Sequence, residues 1–174
     1  VYISIRDLEL KKVAFRETFA AGRIEFFDRK LRQIGSVQVS GEAVLENQLR
    51  GIRVSGYLRV LLEFDCDRCL EAARLPLEGG FNLLYEPIED DWGGQETALS
   101  PSDAEIGYYE GEGIDLVDVI REQILLWLPM QRVCSRECRG ICPSCGQNRN
   151  FVACQCRPEH GDPRWAALRM LGSQ

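Results

Sequence analysis

Six cysteines fall within 23 residues, as Cys134-x3-Cys138-x3-Cys142-Pro143-Ser144-Cys145-Gly146-x7-Cys154-x-Cys156, and the other two form Cys66-Asp67-Arg68-Cys69 in mid-chain. A Cys-Pro-x-Cys-Gly turn presents two thiolates to one tetrahedral Zn2+. Pro143 fixes one backbone angle, and Gly146 tolerates the positive φ that lets amide N–H groups point at the sulfurs. Such spacing constrains the tail more than any hydrophobic pattern does, because it calls for a metal-organised module rather than an ordinary core.

Two divisions of the eight thiolates are open. One joins Cys142 and Cys145 to Cys154 and Cys156, leaving Cys66 and Cys69 for Cys134 and Cys138. The other gathers Cys134, Cys138, Cys142 and Cys145 and leaves the rest free or auxiliary. The first is preferred, since the turns at 142–145 and 154–156 flank a loop of eight residues that can fold back as a small zinc ribbon. A buried structural pair is an equally good reading of Cys66 and Cys69. The single histidine, His160, lies in a Pro-Glu-His-Gly-Asp loop and reads as a surface residue.

Composition bounds the rest. The 174 residues, 45% of them hydrophobic, suffice for one ordinary core plus a small appendage. No apolar run approaches the roughly 18 residues of a membrane span. The first residues, Val1-Tyr2-Ile3-Ser4-Ile5-Arg6-Asp7, lack a secretory layout, so a cytoplasmic location is expected, where thiols stay reduced and available to metal. The net charge of −6 is unevenly spread: residues 1–128 carry 14 Lys+Arg against 24 Asp+Glu, and residues 129–174 carry seven arginines against Glu137, Glu159 and Asp162. A basic tail of this kind suits phosphate or an acidic partner, although arginines also simply solvate a small module.

The pattern predicts strands over Val37–Glu46, Ile52–Phe64 and Ala73–Tyr85, joined as an antiparallel meander, with Gly79-Gly80 suggesting a bulge or bend. Asp7–Ala21 fits neither helical nor strand period, and Gly22–Phe27 is a candidate further strand. Glu86–Gly113, with nine acidic residues and no Lys or Arg, reads as an acidic mobile loop. Asp115–Leu128 is the best helix: Asp115 is the N-cap, and Leu116, Val117, Ile120, Ile124, Leu125 and Leu128 make one apolar face before Pro129. A last short helix opens at Asp162-Pro163 and runs to Leu171. The expected architecture is α+β, a curved antiparallel sheet with one packing helix over residues 1–128. A zinc-binding knuckle with a short helix follows over residues 129–174.

Catalysis is poorly supported. There is no glycine-rich phosphate loop, one histidine makes no nucleophile–base pair, and all-thiolate zinc rarely leaves an open position. A dithiol oxidoreductase centred on Cys66 and Cys69 is weakened because that pair follows a strand instead of opening a helix.

Several segments resemble the YceD family, bacterial and plastid proteins associated with accumulation of 23S ribosomal RNA. They are Ile114-Asp115-Leu116, Ile124 to Pro129, Cys138-Arg139-Gly140-Ile141-Cys142-Pro143-Ser144-Cys145-Gly146-Gln147-Asn148-Arg149-Asn150, Cys154-Gln155-Cys156, Asp162-Pro163-Arg164-Trp165 and Cys66-Asp67-Arg68-Cys69-Leu70. The resemblance is specific over residues 114–171 and the Cys66 turn, and one of general layout over residues 1–60. Arg149 stands where the family usually has an apolar residue. The resemblance implies a non-enzymatic role in large-subunit (50S) biogenesis, through 23S rRNA, its precursor or a ribosomal protein, with zinc as scaffold. Arg132, Arg136, Arg139, Arg149 and Arg157 would then contact phosphates, and Phe151 would stack on a base. The rival readings are an adaptor that docks a basic ribosomal protein through the acidic segment, and a thiol or zinc redox switch.

Overall fold

The computed structural model describes residues 1–46, 50–88 and 106–156. The chain divides into two compact units, Val1–Phe64 with Ala73–Met130, and Asp65–Ala72 with Gln131–Gln174.

In the first unit, six strands among the described residues form one sheet. They are β2 (Val13–Phe19), β3 (Leu31–Gln33), β4 (Val37–Glu46), β5 (Gly51–Asp65), β6 (Ala72–Pro87) and β7 (Ile106–Tyr109), in the order β2-β4-β5-β6-β7 with β3 also beside β5. β1 (Tyr2–Ser4) and β8 (Gly113–Asp115) pair separately. Strand β5 carries the period-2 signal most plainly: Ile52, Val54, Leu58, Val60, Leu62 and Phe64 are buried, while the residues between them reach solvent to varying degrees. Its register sets Leu58 opposite Val39, Val54 opposite Ala43 and Leu62 opposite Gln33. The same core takes in Leu116, Val119, Ile120 and Ile124 from helix α2 (Leu116–Trp127). Asp115 caps that helix by accepting from the Val117 N–H at 3.0 Å, and Pro129 follows its end.

Four expectations need correction. The sheet is mostly antiparallel, but β7 runs parallel to β6, with Tyr85 opposite Gly107. Parallel pairing requires about a dozen residues or more between the strands, and 18 positions separate Pro87 from Ile106 in the sequence. The acidic segment is therefore not loop throughout: Glu86 and Pro87 end β6, and Ile106-Gly107-Tyr108-Tyr109 is a strand whose apolar and aromatic content the local charge obscured. Residues 89–105 lie outside the described ones. Within residues 1–128 the described residues form two helices rather than the one expected there, since Ile5–Leu10 forms α1, with Ser4 Oγ accepting from the Asp7 N–H. Asp7–Ala21 fits no single period because it spans most of α1 and the whole of β2.

Gly22–Phe27 is not a strand. Gln33, which is buried, organises that stretch instead: its Oε1 accepts from the Ile24 N–H at 2.8 Å, and its Nε2 donates to the Ala20 and Gly35 carbonyls. Gln33→Ala should cost about 1–3 kcal/mol in urea unfolding by orphaning a buried N–H. An unchanged midpoint would show that water replaces the amide.

Strand β6 is continuous through Gly79-Gly80. The expected helix 162–171 lies outside the described residues. Among the described residues, no helix is long and apolar enough to cross a membrane.

Candidate metal centre

The second unit is built on two backbone knuckles with one hydrogen-bonding scheme. In the first, Leu70 N–H donates to the Cys66 carbonyl at 2.9 Å, and Cys66 N–H donates to the Glu71 carbonyl at 2.9 Å. In the second, Gly146 N–H donates to the Cys142 carbonyl and Cys142 N–H to the Gln147 carbonyl, both at 2.8 Å. The residue after the second cysteine has positive φ in each, +62° at Leu70 and +73° at Gly146. Glycine takes that conformation freely, whereas leucine does so at a cost of about 1–2 kcal/mol. Leucine at the glycine position is why Cys66-x2-Cys69 reads ambiguously as sequence.

Each knuckle meets a second cysteine pair. The sulfurs of Cys66, Cys69, Cys134 and Cys138 lie within 4.8 Å of one another, and so do those of Cys142, Cys145, Cys154 and Cys156. Cys134 and Cys138 thus group with the mid-chain pair and not with Cys142 and Cys145. All eight thiols are free. In the first cluster, Cys66 and Cys138 sulfurs are 3.8 Å apart, and those of Cys69 and Cys134 are 3.7 Å apart. Four sulfurs at about 2.3 Å from a tetrahedral centre stand about 3.8 Å apart, whereas a disulfide needs about 2.05 Å. The donor set and its spacing fit a tetrahedral thiolate-loving dication.

Local dipoles favour the charged form at two vertices of the first cluster and one of the second. Burial pushes the Cys66 thiol up, but N–H groups of Cys69, Cys134 and Arg68 aimed at its sulfur bring it down to about 6. The N–H groups of Cys145 and Ser144 likewise hold Cys142 at about 6, against its burial. Cys138 is lowered chiefly by the Asn150 side-chain amide, 3.3 Å from its sulfur. Cys134 and Cys156 are pushed up to about 12, chiefly by hydrogen bonds with Cys138 and Cys145 respectively. A dication among the sulfurs reverses that logic and favours four thiolates.

Several residues that the spacing of cysteines does not reveal hold this unit together. The Arg68 guanidinium donates to the Cys138 carbonyl at 3.2 Å and to Gln131 Oε1 at 3.2 Å. Asp67 accepts from the Arg132 N–H at 2.7 Å. Asn150 Oδ1 accepts from the Arg139 N–H, and Asn148 Nδ2 donates to Glu71. Gly140, at φ +67°, lies so close to Arg68 that an added Cβ would stand 2.8 Å from its carbonyl oxygen. The only available sequence cue was the polar content inside and beside the cysteine pairs.

Arg136, Arg139 and Arg149 are exposed, and among the described residues no ion pair engages them. Phe151 is 77% exposed, so it does not pack inside the module. Arg132 is half-buried and has an interaction of its own. Arg157 and His160 lie outside the described residues. The knuckle at 65–72 also brings Asp65, Asp67 and Glu71 into the unit, which offsets part of the tail's positive balance.

Fold and site together define a mostly antiparallel α+β protein with a cysteine-rich unit of two four-thiol clusters. Residues 54–172 match the family model described as large ribosomal RNA subunit accumulation protein YceD. The chain belongs to the YceD family. It is similar to the chloroplastic YCED homolog 1 of Zea mays, 29% identical over 132 residues covering 63% of this chain and 45% of that protein. An uncharacterized protein of Mycobacterium tuberculosis is 30% identical over 135 residues, covering 75% of this chain and 60% of its own. YlbN of Bacillus subtilis, also uncharacterized, is 26% identical over 176 residues, covering 98% and 94%. The chain therefore spans about half the length of the maize and mycobacterial relatives. No solved structure matches.

Proposed function

We propose that this chain is a non-enzymatic factor in accumulation of the large-subunit (23S) ribosomal RNA, and that it binds that RNA or its precursor through its cysteine-rich unit. Each four-thiol cluster would hold one Zn2+, with Cys66, Cys69, Cys134 and Cys138 as one ligand set and Cys142, Cys145, Cys154 and Cys156 as the other. The metal would act as scaffold, since four thiolates leave it no open position. Residues 129–174, together with the knuckle at 65–72, would form the RNA-facing module, and residues 1–128 otherwise its carrier. A reducing compartment such as the cytoplasm keeps these thiols available.

The observation that carries this reading is the set Arg136, Arg139 and Arg149, exposed and without ion pairs among the described residues, beside an exposed Phe151. Guanidinium groups grip phosphate bidentately, and a solvent-facing aromatic ring stacks on an unpaired base. Backbone hydrogen bonds around the knuckles fix where these side chains start: the Arg139 N–H donates to Asn150 and the Arg149 N–H to Gly140.

The triple variant Arg136→Glu, Arg139→Glu and Arg149→Glu should abolish crosslinking to 23S rRNA while zinc content stays unchanged. In binding assays the salt dependence should fall by about 0.7–0.9 per lost phosphate contact. Unchanged crosslinking would remove the RNA reading. Loss of a basic ribosomal protein from pulldowns when the acidic residues of 86–113 are neutralised would favour the adaptor instead.

A further inference from the structure

The two clusters share a knuckle but differ in shielding. Cys66, Cys69 and Cys138 are buried and only Cys134 is exposed, whereas in the other cluster Cys145 and Cys156 are exposed, Cys154 is half-buried and only Cys142 is buried. The first cluster ties together segments about 65 residues apart in the chain, so its four sulfurs separate only if residues 65–72 leave residues 131–138. That separation also breaks the hydrogen bonds of Arg68 to Gln131 and Cys138, of Asp67 with Arg132, and of Ile141 N–H to the Arg68 carbonyl. The second cluster closes a single loop within residues 142–156. In that loop the hydrogen bonds from Gly146 and Cys142 belong to the knuckle, and the turn at Asn148 accepts from Phe151 and Val152. Among the described residues its outward ties are at residues 148–150, namely Asn148 Nδ2 to Glu71, the Arg149 N–H to the Gly140 carbonyl, and Asn150 with Arg139 and Cys138. All of them come before the Cys154 and Cys156 arm, whose departure separates the sulfurs.

Sulfur environments differ in the same direction. In the first cluster the Cys66 sulfur accepts from the Cys134 N–H at 3.3 Å, across its two segments, and the Cys138 sulfur accepts from Asn150 Nδ2 at 3.3 Å, from the loop of the other cluster. In the second, the backbone donors to Cys142 come from its own turn, Ser144 and Cys145. A competing chelator must reach the metal through exposed ligands or wait for local opening, and local opening is costlier where more long-range contacts break together.

From this we infer that the two metal sites are unequal. The Cys66/Cys69/Cys134/Cys138 site is a permanent structural one. The Cys142/Cys145/Cys154/Cys156 site exchanges its metal and so sets the order of the loop that presents Arg149 and Phe151. Zinc availability would then act on that part of the surface without unfolding the rest of the unit. The inference rests on the zinc reading above and deepens it to regulation of the same site.

The test is zinc release from the full chain to a chromogenic chelator, with trypsin cleavage after Arg149 followed in parallel. Two equivalents should leave in two phases whose rates differ by about tenfold or more. Cleavage after Arg149 should accelerate with the fast phase, while amide protection of Ile141 persists until the slow one. The double variant Cys154→Ser, Cys156→Ser should keep one equivalent and lose only the fast phase. Two equivalents leaving in one phase would overturn the inequality while leaving the zinc reading intact, as would a variant that keeps the fast phase and loses the slow one. A chain that takes up no zinc on reconstitution overturns both.

Discussion

The double variant Cys66→Ser, Cys138→Ser should unfold the cysteine-rich unit and abolish its uptake of zinc, while the sheet and α2 keep their protection in hydrogen exchange. The reason lies in what else could hold that unit. Among the described residues its buried cluster consists of Cys66, Cys69 and Cys138 with Val133 packed against them. Burying one valine contributes about 1.5–3 kcal/mol. Structural Zn2+ sites supply an apparent 10–16 kcal/mol or so, which makes metal binding and folding one event. The body has a separate and much larger core, from Ile3 to Ile124. Chelation of the wild type should mimic the variant. Measured amide protection at Ile141 and Leu70 that survives complete metal removal would sink the idea that thiolates organise this unit.

Gly41→Ala should damage the body severely, costing about 3 kcal/mol or more. Gly41 faces Gly56 across β4 and β5, and Phe15 of β2 lies opposite Gly41 on the other side. A methyl at Gly41 would stand 2.1 Å from the Ser55 carbonyl oxygen, 2.7 Å from Gly56 Cα and 2.9 Å from the Phe15 ring. Backbone atoms of a neighbouring central strand cannot swing aside, so relief requires shifting the sheet. At Gly56 the added methyl would meet the Ser40 carbonyl at 2.4 Å and the Phe81 ring at 3.2 Å. Two buried aromatic rings thus occupy the space that side chains at the paired glycines would fill. The comparison is Gly22→Ala: Gly22 has φ +76° and nothing within 4 Å of the added carbon, so only the backbone cost of about 1 kcal/mol is expected. Equal midpoints for the two variants in denaturant would refute the close approach.

Much of the body is legible along the chain. Strands β4 and β5 and helix α2 lie where alternation, helical spacing and an N-cap aspartate put them, because long elements repeat their signal many times. Short elements do not. Helix α1 has six residues, β3 has three and β7 has four, too few for a period to rise above local composition. The segment before β3 escapes for a different reason: the Ile24 N–H is held by the side chain of a buried glutamine nine residues on, a device with no periodic pattern.

By itself, the sequence determined that this chain carries thiolate pairs at metal-binding spacing, and which stretches are long strands and helix. These are properties of near neighbours, set by turn chemistry and by repeat. Only the tertiary structure decided which cysteines meet, because Cys66 and Cys134 are brought together by contacts spanning more than 60 residues. It likewise decided that β7 returns parallel to β6, and that Arg136, Arg139, Arg149 and Phe151 face solvent. Burial and pairing belong to the whole chain at once, and local spacing cannot encode them.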